Sequence, residues 1–195
     1  ERAVDSFDLA LIDKIEELRI PYWFPTNRMP KGEETRRNDP IGLTHVHHFY
    51  TKRNLWSLAA VWHRAEGFLP LCHWVLFAVE QLVLGMSKLA RYGPKRYSQA
   101  NSYLPGTLYV ASQTVEVTPE YILKHKIGRL TKILHSLTYV VPMLISTNSL
   151  TMIPLLLDQC DYIFTDPPFG SNLMYSELNF LWEAWLRVFT NNKEE

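Results

Sequence analysis

The sequence predicts an α/β protein in which a mainly helical first part, residues 1–105, precedes a strand–helix–strand–helix part, residues 106–195. Three observations carry this expectation. Apolar residues in the first part recur every three to four positions, the helical period. In the second part, alternating or continuous apolar runs stand on either side of a helical pattern. Between them lies RYGPKRYSQANSYLPG, residues 91–106, a polar stretch with glycine and proline that separates the two rhythms.

Taken in order, Phe7, Leu9, Leu11, Ile12, Ile15 and Leu18 share a helical spacing, and Pro21 ends that helix. PTNRMPKGEETRRNDPIG, residues 25–42, is dense in proline, glycine, asparagine and charge and reads as a long, exposed and mobile loop. Leu43 to Tyr50 reads as extended. Thr51 then offers its hydroxyl as a cap to a helix carrying Leu55, Leu58, Ala59, Val61 and Trp62. From about Pro70 to Arg91 the spacing predicts one long buried helix. His73, Glu80, Gln81 and Lys88 interrupt its apolar stretch too often for a membrane span.

Gly106 to Val115 alternates like a strand. Thr118, Pro119 and Glu120 make a strong helix start, followed by the stripe Ile122, Ile127, Leu130, Ile133 and Leu134. Tyr139 to Ile145 predicts a buried strand, Leu150 to Leu157 a short helix, and Tyr162 to Thr165 a second buried strand. This alternation is the pattern of a parallel sheet covered on both faces, where ligands bind at the carboxyl ends of the strands. Trp182 and Trp185, with Leu178, Leu181 and Leu186, follow helical spacing and suit the core or a face meant for another part of the protein.

With 195 residues, 47% of them apolar, the chain has ample material for a core. Lys plus Arg and Asp plus Glu are equal at 20 each, so no bulk field draws nucleic acid or membrane, and any such surface is a local patch. Cys72 and Cys160 sit far apart in apolar contexts, which suits free thiols in a cytoplasmic, reducing compartment. ERAVDSFDLALIDKIEELRI opens without an initiator Met or a signal-peptide pattern, and with a helical rhythm already running; it reads as cut from a longer protein.

The most specific chemistry lies in DYIFTDPPFGSNLMYSELNFLWEAWL, residues 161–186. Two prolines hold the chain extended and contribute no N–H, so Asp166, Pro167, Pro168 and Phe169 form a stiff edge of acceptors. The Asp166 carboxylate and the Pro167 carbonyl suit the two hydrogens of an exocyclic amino group, and the Phe169 ring offers a face to a planar base. Pulling those hydrogens stabilises the charge that grows on the nitrogen as it attacks a methyl donor. The alternative is a Pro-Pro turn ending a core strand, with Phe169 as its lid.

DPPF after an apolar strand resembles the catalytic motif of the S-adenosylmethionine-dependent DNA amino methyltransferases. THVHHFYTKRNLWSLAAVWHR and SKLARYGPKRY…LPGTLYVAS upstream extend the likeness to a bacterial DNA methylase branch, over most of residues 40–190. The resemblance implies part of a Rossmann-like methyltransferase sheet, S-adenosylmethionine as cofactor, and DNA as partner through base flipping. It makes Asp166, Pro167 and Phe169 the amino acceptors and stacking ring, with adenine N6 as target by analogy. It also implies a context such as restriction–modification, with the remainder of a parent methyltransferase as a second partner.

The family's glycine-rich cofactor turn is missing: the eight glycines contain no GxG pair. Asn148 and Ser149, in ISTNSL, are the weaker candidates for touching donor or base, though turn residues are equally expected there. Lys52 and Arg53, with Arg91, Tyr92, Lys95 and Arg96, make the candidate DNA surface, since cations meet phosphates and tyrosines stack on bases; a solvated loop has the same composition. HVHH places His45 and His47 on one face of a predicted strand, and with no Cys, Asp or Glu nearby no metal is expected. Two other readings stand beside this one: a non-catalytic helical interaction module, self-associating through an exposed apolar face, and an RNA or protein amino-group methyltransferase.

Overall fold

Local chemistry starts the helices where the sequence says it will. In the computed structural model, which describes residues 3–93, 103–136, 161, 162, 164, 165 and 174–190, α1 spans Ser6–Glu17. Asp5 caps it by accepting from the N–H groups of Phe7 and Asp8 at 2.9 and 3.0 Å, while Asp8 accepts from the Asp5 N–H at 3.1 Å. The Thr51 hydroxyl accepts from the Asn54 N–H at 3.3 Å and starts a helix over Lys52–Glu66. Thr118 does the same for the N–H of Tyr121, also at 3.3 Å, at the head of the helix Pro119–Ser136.

Residues 25–42 are not the exposed loop that their composition predicts. Met29, Thr35 and Asn38 are buried, a short helix, α2, covers Glu33–Arg36, and a 3-10 turn covers Asp39–Ile41. The polar residues serve buried backbone groups instead of water. The Thr35 hydroxyl donates to the Pro30 carbonyl at 2.7 Å, and the Asn38 amide donates to the Leu108 carbonyl at 2.9 Å. The stretch after it is not a strand either. His45 makes one isolated bridge to Arg28, and Val46–Phe49 turn in a 3-10 helix.

The predicted long helix between Pro70 and Arg91 is broken. With α3 as Lys52–Glu66, the break leaves α4 at Cys72–Val79 and α5 at Leu82–Gly85. Side chains compete for the carbonyls that a continuous helix would use. Ser87 donates to the Leu84 carbonyl at 2.7 Å, Asn54 to the Met86 carbonyl at 2.8 Å, and Trp182 to the Glu80 carbonyl at 3.3 Å.

The largest correction concerns the sheet. The described residues are helical and form no sheet, which overturns the expectation of an α/β fold with a Rossmann-like strand–helix–strand–helix portion. Strand pairing among them is limited to two isolated antiparallel bridges, Arg28 with His45 and Arg91 with Thr114. Gly106 to Val115 carries the alternation of a strand, but much of its backbone bonds elsewhere. The Leu108 N–H donates to Glu34 Oε2 at 2.9 Å and its carbonyl is taken by Asn38. Tyr162 and Phe164, expected in a buried run, are 82% and 78% exposed. The predicted strand over 139–145 and helix over 150–157 lie outside the described residues.

With α6 as Pro119–Ser136 and α7 as Tyr175–Leu186, the core draws on both sides of residue 105. Met29, Phe49, Leu58, Trp62 and Val83 pack in one cluster with Leu108, Ile122, Leu181 and Trp185. Trp185 sits at its centre. Its ring lies 5.2 Å from that of Trp62, and its indole N–H donates to the Tyr50 hydroxyl at 3.2 Å, which in turn donates to the Val83 carbonyl at 2.9 Å. An indole buried this way stabilises the fold by several kcal/mol, on the order of 3–5, with its only polar atom satisfied. No described helix is long and apolar enough to cross a membrane.

Candidate functional site

The predicted acceptor edge, Asp166, Pro167, Pro168 and Phe169, lies outside the described residues, as do Asn148, Ser149, Lys95 and Arg96. Downstream of the motif, helix α7 opens with Glu177, which is only 3% exposed and accepts from the Thr35 N–H at 2.8 Å. The carboxylate meets the free N–H groups and positive end of α2, where an acid is favoured. Gly32 lies directly against it: a Cβ there would stand 2.0 Å from the carboxyl carbon, so any side chain at this position would have to displace the carboxylate. The chain after the motif is thereby tied to residues 32–35.

Three described members of the predicted DNA surface, Arg53, Arg91 and Tyr92, come together along one edge. Residues 113–116 run beside 90–92, with the Tyr92 N–H on the Gln113 carbonyl at 3.0 Å and the Val115 N–H on the Ala90 carbonyl at 2.9 Å. Arg53, at the head of α3, pairs with Glu116 on that same segment. Arg91 and Tyr92 therefore share an edge with Arg53, and the Tyr92 ring is substantially exposed. Glu116 answers the Arg53 charge within the fold, which weakens its pull on an outside anion.

Lys52 points elsewhere, into a cavity of about 1010 Å³ between the segment after α1 and the residues leading into α3. Its ammonium donates to the Glu16 carbonyl. Arg19 and Lys88 join it in the wall, and the Lys88 ammonium donates to the His48 carbonyl at 2.9 Å. Burial lowers the pKa of Lys88, partly offset by the charge of Glu16. Tyr22, Trp23 and Phe24 add aromatic wall, and the Arg187 guanidinium covers Trp23 at 3.8 Å from its ring centroid. Sequence reading passed over these three rings. Their signal was IPYWFP, three aromatics between Pro21 and Pro25, of which Trp23 is exposed while Tyr22 and Phe24 pack against the core.

The histidines beside this cavity stand in a turn, not on the face of a strand. Ring centroids are 5.7 Å apart for His45 and His47 and 4.3 Å for His47 and His48. Burial holds the pKa of His47 below its ordinary value, and the charges of His48 and His45 push it the same way. Its Nδ1 is buried without a hydrogen-bond partner. Among the described residues no group of three or more His, Cys, Asp or Glu side chains is arranged to hold a metal ion. Among the described residues no glycine turn joins a strand to a helix. Searches against family models, curated proteins and solved structures find no match for this chain.

Proposed function

We propose that the chain is the target-binding and amino-acceptor part of a cytoplasmic DNA methyltransferase. The observation that carries this reading is the run Asp166-Pro167-Pro168-Phe169. A carboxylate and a donor-free carbonyl accept the two hydrogens of a base amino group, and the neighbouring ring stacks on the flipped base. Adenine N6 is the target we favour, through the resemblance of this motif. Asp166 orients the amino group and stabilises the positive charge that develops on its nitrogen; Phe169 holds the base plane. The methyl donor of the resembling family is S-adenosylmethionine, and we assign its binding to the remainder of a larger enzyme. Exposed Tyr162 and Phe164 support such a partner, since rings so open to water gain by being covered. Lys52, Arg53, Arg91 and Tyr92 supply contacts for the DNA strand on this reading.

The test is methyl transfer to DNA by the complete enzyme, monitored with a labelled donor. Asp166→Ala should lower transfer by about 10²–10³-fold or more, while DNA affinity stays within about twofold. Unchanged transfer in that variant defeats the reading.

A second reading, a non-catalytic interaction module, is favoured by the exposed apolar side chains of α1 and of Leu69, Leu71, Trp74 and Phe77. Concentration-dependent self-association with no DNA binding selects it. DNA binding that weakens steeply with salt selects the first.

A further inference from the structure

We propose that the cavity between the segment after α1 and the entry to α3 binds a nucleotide unit, a planar base carrying a phosphate. Its wall combines three cations, Arg19, Lys52 and Lys88, with three rings, Tyr22, Trp23 and Phe24. Glu16 is the one carboxylate in that wall, so positive charge dominates. The ammonium groups are not used up by the protein. Lys88 gives one of its three N–H bonds to the His48 carbonyl and Lys52 one to the Glu16 carbonyl, which leaves donors on both for an anion.

The charge balance points the same way. Burial penalises the Lys88 ammonium and the charge of Glu16 offsets only part of that penalty, so a bound anion would add to the countercharge that Glu16 supplies. A bare phosphate would meet only the cations of the wall and leave the exposed part of the Trp23 ring uncovered. At about 1010 Å³ the cavity is also far larger than one phosphate and lies at the upper end of the usual size for ligand pockets. Trp23 is the most exposed of the three rings, 42% open; Arg187 stacks on one of its faces, and its remaining exposed surface is where a base would lie. A phosphate ester of an aromatic base satisfies both halves of the wall. The ligand arises as a free mononucleotide or as an unstacked nucleotide of a DNA strand, and the chemistry at the wall is the same. This site stands on the cavity and does not rest on methyl transfer.

The experiment is a calorimetric titration of the 195-residue chain with adenosine monophosphate, inorganic phosphate, adenosine and a six-nucleotide deoxyadenosine strand. Adenosine monophosphate should bind saturably, at least about tenfold more tightly than phosphate or adenosine alone. The double variant Arg19→Gln, Lys52→Gln should weaken it by about tenfold or more, since each change removes a charge-assisted bond. Arg19 is exposed and Lys52 half-buried, and an unchanged circular dichroism spectrum and thermal midpoint establish that the variant is folded. Tighter binding of the strand than of the mononucleotide supports the site with DNA as its source; equal binding supports it with the free nucleotide as source. Absence of saturable binding by both, equal binding of phosphate or adenosine, or an unaffected double variant overturns the proposal. Binding that persists while Asp166→Ala leaves methyl transfer intact keeps this site and removes only the methyltransferase reading.

Discussion

Helices α1 and α7 are each 12 residues long and amphipathic, yet they stand at opposite ends of the energetic scale. The first has a complete capping box and buries no residue. The second has no side-chain cap and buries Glu177, Leu181, Ala184 and Trp185. Local start signals decide whether a helix forms; complementary groups far along the chain decide whether it is held. For α7 those groups are Tyr50, Trp62 and the Thr35 N–H. Phe7, by contrast, is 72% exposed.

The largest effect separates the two helices directly. Trp185→Ala should lower stability to chemical denaturation by about 3–5 kcal/mol, because a central ring and its hydrogen bond to Tyr50 are lost together. Phe7→Ala should stay within about 0.5 kcal/mol. A comparable loss at both positions would show that α1 is packed in solution.

Next in size is the tie between α7 and the residues around α2. Glu177→Ala strands the buried Thr35 N–H and should cost about 1–3 kcal/mol in the same assay. Gly32→Ala should destabilise as well, since its Cβ would collide with the Glu177 carboxylate. The Gly32 backbone is extended, with φ −176°, so a neutral result would mean that the carboxylate moves aside and the tie is weak.

The smallest effect concerns pH. Burial pushes the Glu34 carboxyl upward, but hydrogen bonds from the Thr107 hydroxyl and the Leu108 N–H, with the charge of Arg37, outweigh it and hold its pKa below the ordinary 4.5. The ionised form therefore favours the folded chain. Its contribution is complete above pH 4.5 and is lost as pH falls below that value. Glu34→Gln should flatten the dependence of the thermal midpoint on pH in this acid range. Identical acid profiles for the variant and the parent chain would remove Glu34 from the account.

Much of this contrast was legible in residue order, and the rest was not for identifiable reasons. Thr51 and Thr118 act over three residues, so their caps were read from spacing alone, whereas the Asp5 capping box was passed over. Trp182 and Trp185 announced a core-facing helix by their period. Thr35 and Asn38 looked like loop residues, because nothing nearby says that they bond to the carbonyls of Pro30 and Leu108. Trp182 takes the Glu80 carbonyl at the break before Leu82, and Asn54 takes the Met86 carbonyl just after α5; both are distant in sequence. The alternation of Gly106 to Val115 predicted a strand, but alternation names no partner, and the segment makes only one isolated bridge, Thr114 with Arg91. Here side chains of residues 34 and 38 take the Leu108 hydrogen bonds. The DPPF run, read for its chemistry, lies outside the described residues, and the cavity needed the fold to gather Arg19, Lys52 and Lys88.

That chemistry has one direct test: digestion of DNA methylated by the complete enzyme to nucleosides, with the position of the new methyl group read by mass spectrometry. An acceptor edge built from Asp166 and Pro167 predicts methyl on an exocyclic nitrogen, that of adenine, and its disappearance in Asp166→Ala. Methyl found on a ring carbon, or the same N-methyl nucleoside made by the variant, would contradict it.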